Sequence, residues 1–135
     1  MRRVVLFAAL AALAALAGAG CRDQGPAAGE LSVRLGAPRP FDRALLLEVT
    51  GRSSGVTAPS GSSYRVFGRT SSDGDTAYVV VVAPAGSGLA AGEVARLRVD
   101  DVQQASGYAA RVLDAATSAY AIGDTSGVTL SVGRP

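Results

Sequence analysis

The side chains that could perform chemistry in this 135-residue chain are almost all carboxylates. The sequence contains no histidine and no lysine, so a serine or cysteine nucleophile would have no base of either type to activate it. Zinc prefers nitrogen and sulfur ligands, and a site made of carboxylates alone would bind it poorly. Paired carboxylates, as glycosidases use them, are what remains. The composition therefore favours a protein that is not an enzyme.

Two acidic clusters are the candidates for a carboxylate site. Asp73 and Asp75 flank Gly74 and could offer oxygen ligands to calcium, although a calcium loop takes more than two carboxylates. An Asp-Gly pair between two strands is also a strong hairpin signal, which is our main interpretation. Asp100 and Asp101, at the end of a strand, would point to opposite faces and could not act together. We therefore assign no catalytic residue, cofactor or metal, and keep Asp73 and Asp75 only as calcium candidates.

The first 20 residues have the pattern of an export signal. Arg2 and Arg3 precede an apolar run of 14 residues, Val4 to Ala17, whereas a helix needs about 20 residues to cross a bilayer. A short apolar run behind arginines and before small residues is typical of a cleaved signal peptide. Ala17-Gly18-Ala19 provides one cleavage site, which would release a soluble periplasmic or secreted protein that starts at Gly20.

A second cleavage site comes from a resemblance. Gly18-Ala19-Gly20-Cys21 resembles the lipobox of bacterial lipoproteins, except that a branched apolar residue usually stands where Gly18 is. Cys21 is the only cysteine, and an exposed unpaired thiol is a liability in an oxidising compartment. The resemblance implies that Cys21 carries three acyl chains, including palmitate, which anchor the protein stably to a membrane. In such lipoproteins an aspartate directly after the cysteine tends to hold the protein in the inner membrane. Here Arg22 has that position, so the resemblance implies the outer membrane rather than the inner one.

The rest of the chain divides into a tether and one domain. Residues 21–30 are polar and interrupted by Gly and Pro, which predicts a flexible, lipid-anchored tether between a signal peptide at 1–20 and a domain at 31–135. Once the signal is removed, the remaining arginines and the acidic residues balance in number, at 11 each. Nucleic-acid binding needs clustered positive charge, so this balance argues against it.

The apolar residues of the domain recur with a period of two, which predicts strands. Gly, Pro, Ser and Asp clusters separate the runs, as in an all-β fold. We expect a single antiparallel β-sandwich of the Ig-like or cohesin-like kind, with about 7–9 strands. Residues 108–122 fit a strand, a turn near 114–118 and a short strand, with a helix as the alternative. The predicted strands are Leu31–Leu35, Leu45–Val49, Tyr64–Phe67, a central Thr76–Ala83, Ala95–Val99 and Val128–Val132.

The second half of the domain resembles cohesin-like sandwiches. A strand to Ala83 leads into a Pro/Gly loop, Gly92 opens an alternating strand to Val99, and Asp101-Val102 precede a further β-rich segment. This resemblance implies a noncovalent binding module, but it carries over no binding residue. The loop 52–63 is either a binding loop or a mobile surface loop. Tyr64, Tyr78 and Tyr108 lie in strand patterns that predict partial burial, which weakens a carbohydrate hypothesis.

The sequence therefore predicts a non-catalytic lipoprotein of the cell envelope. We expect an adaptor or accessory module that holds a protein partner near the membrane through a sheet face or edge. The alternative is a lipoprotein that binds a small ligand, either a carbohydrate or calcium.

Overall fold

The computed structural model describes residues 24–39 and 42–135. The predicted signal peptide and Cys21 lie outside the described residues. The described chain is almost entirely β-structure, with eight strands and one short 3₁₀ segment at Val102–Gly107. The strands are β1 (Gly29–Gly36), β2 (Asp42–Thr50), β3 (Gly55–Thr57), β4 (Arg65–Thr70), β5 (Thr76–Val82), β6 (Gly92–Val99), β7 (Ala109–Thr117) and β8 (Thr129–Gly133).

The strands form two antiparallel sheets of four strands each. Sheet A has the order β3-β6-β1-β8, and sheet B has the order β4-β5-β2-β7. The predicted all-β, antiparallel sandwich is confirmed, and so is the central position of β5, which lies between β4 and β2. One residue in two on each strand faces the other sheet, so the apolar period seen in the sequence becomes a shared core. The buried core includes Leu31, Val33, Leu45, Leu47, Val49, Ala77, Val79, Val81, Leu97 and Val99.

Several local predictions are corrected. The loop 52–63 contains an unpredicted strand, β3, because Val56 pairs with Leu97 at the edge of sheet A. Gly68 on β4 allows β4 to approach β3 at this edge, since a Cβ at Gly68 would lie only 2.6 Å from the Val56 side chain. β7 runs on through Thr117, so the turn predicted at 114–118 begins only at Ser118, and the helical alternative is wrong.

The edge strand β7 contains a bulge. Leu46 of β2 pairs with Asp114, but the next residue, Leu47, pairs with Val112. Leu113 is therefore an extra residue on β7, and it is exposed. Such bulges bend a strand and interrupt its ladder of hydrogen bonds.

The loops lie at two opposite ends of the sandwich. At one end β1 begins at Gly29, two residues before the predicted start at Leu31, and this end also holds the 3₁₀ segment and the β4–β5 turn. We call it the tether end. The other end, called the distal end, holds the connections 58–64, 83–91 and 118–128. A strand of eight or nine residues spans about 30 Å between the two ends.

Candidate functional site

The two acidic clusters singled out in the sequence both lie at the tether end, where each one stabilises a turn. Asp73 accepts hydrogen bonds from the Ser71 hydroxyl and from the Asp75 N–H, the latter at 3.1 Å. These two bonds hold the pKa of the Asp73 carboxyl below its usual value. Asp73 and Gly74 lie in the hairpin turn between β4 and β5, as the Asp-Gly signal indicates. Within the described residues, no three acidic or cysteine side chains are grouped so that they could hold a metal ion.

Asp101 is the N-cap of the 3₁₀ segment and also forms a hydrogen bond with the segment that precedes β1. Its Oδ1 accepts from the Gln103 N–H at 3.0 Å and from the Ala27 N–H at 3.2 Å. These bonds lower the pKa of the Asp101 carboxyl, and the bond from Gln103 has the largest effect. The Val102 N–H donates in turn to the Ala27 carbonyl at 2.8 Å. The chain is therefore held from Ala27 onward, within the segment predicted as a tether.

The outer face of sheet A is covered by charged side chains that pair with one another. The Arg96 guanidinium contacts Glu93 through Nε, and its Nη1 atom lies 3.4 Å from a carboxylate oxygen of Glu30 and 3.2 Å from the Ser60 hydroxyl oxygen. The hydrogen bond between Glu93 and Arg96 is the main reason that the pKa of the Glu93 carboxyl is lowered. Ser32, directly opposite Arg96 in the ladder, is fully buried although it belongs to this face. The cluster of Glu30, Arg96 and Glu93 thus covers the part of this face around Ser32.

The outer face of sheet B is apolar along its middle row. This row consists of Phe67 on β4, Val80 on β5 and Leu46 on β2, which lie side by side. The residues before and after each of them on its strand face inward, so these three face outward. Phe67 is 60% exposed. Tyr78, which the sequence pattern predicts to be partly buried, is 42% exposed on the same face, so that prediction is wrong. Tyr64 and Tyr108 are partly buried, as predicted.

A turn after β7 adds two further apolar side chains to this face. Ile122 forms an antiparallel bridge with Ala116, and Tyr120 is held by a hydrogen bond from its N–H to the Thr117 carbonyl at 3.0 Å. Tyr120 has a φ of 61°, a left-handed conformation that is uncommon for a bulky residue. The two side chains are 87% and 84% exposed. Together with Leu46, Val80 and Ala116 they line a shallow, mostly apolar groove, which also includes Asp114, the partner of Leu46 on β7.

We call this surface the sheet B face: the row Phe67, Val80 and Leu46 with Tyr120 and Ile122 at its distal end. The sequence places Leu46 and Val80 within strands, but it does not say that their side of the sheet has no cover. The sequence pattern places Tyr120 and Ile122 in a short strand after the turn, but the structure has only the turn and a single bridge at Ile122, so this prediction is wrong. Only the alternation of β2 and β5, read together with their position in the middle of a sheet, could have indicated an apolar outer row.

No protein-family model, curated protein or solved structure significantly matches this chain. Within residues 24–39 and 42–135, no helix is both long enough and apolar enough to cross a membrane.

Proposed function

We propose that this protein is a non-catalytic lipoprotein of the cell envelope, an adaptor that binds a protein partner through the sheet B face. The single observation that carries the proposal is an apolar surface formed by the exposed side chains of Phe67, Tyr120 and Ile122 and the half-buried side chains of Leu46 and Val80. Scattered apolar residues are normal on a surface, but a contiguous patch with aromatic members is typical of a binding site. Aromatic side chains also supply much of the binding energy in protein interfaces.

The conformation of Tyr120 supports the same proposal. A left-handed φ costs a bulky residue of the order of 1–2 kcal/mol, and the ring gains no burial in return, since it is 87% exposed. Strain at an exposed aromatic residue is explained if the ring is held ready for a partner.

The proposed anchor on Cys21 gives the sheet B face an orientation. Ala27, where the chain is hydrogen-bonded to Asp101, is the sixth residue after Cys21. An extended chain of this length reaches about 20 Å, so the tether end would lie close to the lipid. Tyr120 and Ile122, at the distal end, would then be turned away from the membrane, toward proteins in the adjoining compartment. Anchoring would confine the protein to a thin layer at the membrane and so raise its effective concentration for such partners.

Site-specific crosslinking tests this function. A photo-crosslinking phenylalanine analogue is incorporated in place of Phe67, Tyr120 or Ser131, and the full-length chain is expressed in its native envelope. Ser131 is exposed on the outer side of sheet A and is the matched control. We expect one discrete adduct from positions 67 and 120 and none from 131. Adducts of equal yield from all three positions, or none from 67 and 120, would contradict the proposal.

The anchor is tested separately. We expect Cys21→Ser to move the protein from the membrane fraction to the soluble fraction. We also expect the N-terminal peptide of the wild-type chain to carry the mass of acyl chains on Cys21. An unmodified peptide beginning at Gly20 would support the soluble alternative.

A carbohydrate ligand is the second candidate function, and the exposure of Tyr78 is what favours it. Tyr78 and Phe67 are diagonal neighbours on β5 and β4, and the charged side chains of Arg69 and Glu48 flank Tyr78 in its row. Exposed rings beside hydrogen-bonding groups suit the apolar faces and hydroxyl groups of sugars. Binding of oligosaccharides that Tyr78→Ala abolishes, with the crosslinked adduct absent, would favour this function over the adaptor.

A further inference from the structure

A groove at the distal end is lined by two arginines. Arg43, at the start of β2, and Arg65, at the start of β4, share it with Ser63, Val82 and the residues of the β5–β6 connection that follow Val82. The groove has a volume of about 420 Å³, ample for a small anion. It adjoins the sheet B face through Val82, but its lining is cationic where that face is apolar.

Among the described residues, no carboxylate lies within salt-bridge distance of Arg43 or Arg65. Of the arginines in those residues, only Arg39, Arg96 and Arg111 have such a partner, so what distinguishes the groove is that it brings two unpaired arginines together. The Nε atom of Arg43 is shielded from solvent and has no hydrogen-bond acceptor among those residues. A buried donor without an acceptor is costly, and such a group in a native protein calls for an explanation, such as an ion that binds there.

We propose that this groove binds a phosphate group of a soluble ligand. Guanidinium groups present parallel N–H donors that match the oxygens of phosphate, and two of them balance the charge of a phosphate dianion. The Ser63 hydroxyl can donate a further hydrogen bond. An acceptor in the groove would also satisfy the solvent-shielded Nε of Arg43.

The location selects a soluble ligand over a lipid headgroup. The groove lies at the end of the sandwich opposite Ala27, about one strand length from the point where the chain is held. This part of the argument rests on the proposed anchor at Cys21, because the anchor places the tether end next to the lipid. Phosphate binding itself does not depend on the anchor.

The test is a titration of the detergent-purified full-length protein with inorganic phosphate at constant ionic strength. Amide NMR shifts report on the groove, and the thermal midpoint reports on overall binding, because a ligand that binds the folded state raises it. We expect saturable shifts at Ser63 and Arg65. Arg65→Gln, at an exposed position, should weaken the binding at least fivefold, and Arg43→Lys should weaken it while keeping the charge. Arg98→Gln, at an exposed arginine of sheet A, is the matched control and should bind as the wild type does.

Two results would overturn the proposal. One is a response to phosphate that is unsaturable, or that is the same in Arg65→Gln and in Arg98→Gln, since this would be a general salt effect. The other is binding of the Cys21→Ser protein to phosphatidic acid vesicles that Arg65→Gln abolishes, since this would make a lipid headgroup the source of the phosphate. If the Cys21→Ser variant binds phosphate as tightly as the wild type, this would support the site even if the anchor proposal failed.

Discussion

The two sheets have the same four-stranded antiparallel geometry, but their outer faces are covered differently. In sheet A, the outward side chains of β1 and β6 pair as Glu30, Arg96 and Glu93, and the layer they form leaves Ser32 buried. In sheet B, the corresponding row of Phe67, Val80 and Leu46 has no such cover. Both sheets contribute equally to one core. The shared core does not account for this difference, and the uncovered row of sheet B is the observation on which the proposed contact through that face rests.

The largest expected effect is a difference in stability between substitutions on the inner and on the outer side of β2. Leu47 is fully buried, so Leu47→Ala should lower the free energy of unfolding by about 2–5 kcal/mol. Leu46→Ala, one residue away on the outer side, should cost less than about 1 kcal/mol, because its side chain is already partly in water. Urea unfolding of both variants measures this. Equal losses would show that the outer face is covered in the free protein, and the contrast between the two sheets would fail.

The next effect concerns binding alone. Phe67→Ser combined with Ile122→Ser should reduce partner affinity at least about tenfold, as loss of anchor residues does. The same variant should unfold within about 0.5 kcal/mol of the wild type, since both side chains are mostly exposed. Binding is measured with the partner captured from position 67. A variant that binds normally would remove these two residues from the interface.

A smaller effect compares two arginines that each pair with a glutamate. Arg96→Gln should lower the thermal midpoint, because Arg96 contacts Glu93, Glu30 and Ser60 together. Arg111→Gln should leave it unchanged within error. Arg111 is 69% exposed and has a single partner, Glu48, at 2.8 Å, and exposed pairs contribute little. A larger fall for Arg111→Gln would mean that sheet B, and not sheet A, depends on its surface charges.

The smallest effect is a pH dependence of sheet A. The pKa of Glu93 is lowered in the folded protein, mainly by Arg96. Its contribution to stability is therefore complete above the usual glutamate value of 4.5 and is lost as the pH falls through the lowered value. Glu93→Gln should be less stable than the wild type at pH 7 and should approach it in acid. Thermal melts from pH 7 to pH 3 test this, and a constant difference over that range would contradict it.

The alternation of apolar residues predicted most of the fold because it reports directly on which side of a strand is buried. Six of the strands were recognisable in this way, and β7 was recognisable with its end misplaced. β3 has only three residues, Gly55–Thr57, too few to show a period, and it forms because Val56 meets Leu97 across the sheet. Such pairing is a long-range property that local pattern does not contain.

The candidate sites were less predictable for a related reason. The sequence marks Asp101 as charged, but its bond to Ala27 spans 74 residues and depends on where β1 begins. Arg43 and Arg65 come from different strands, and only the arrangement of β2, β5 and β4 brings them to one groove. The strand pattern around Tyr78 predicts partial burial, yet the outer side of sheet B has no layer to bury its ring.

The bulge at Leu113 has a consequence for molecules crowded together. β7 is an edge strand nine residues long, and a regular edge of that length could pair with the same edge of a neighbouring molecule and begin a growing aggregate. The extra residue breaks the ladder near the middle, and the turn that brings Ile122 beside Ala116 occupies part of the remaining edge. An apolar sheet face can thus remain exposed while the β7 edge stays a poor template for fibril growth.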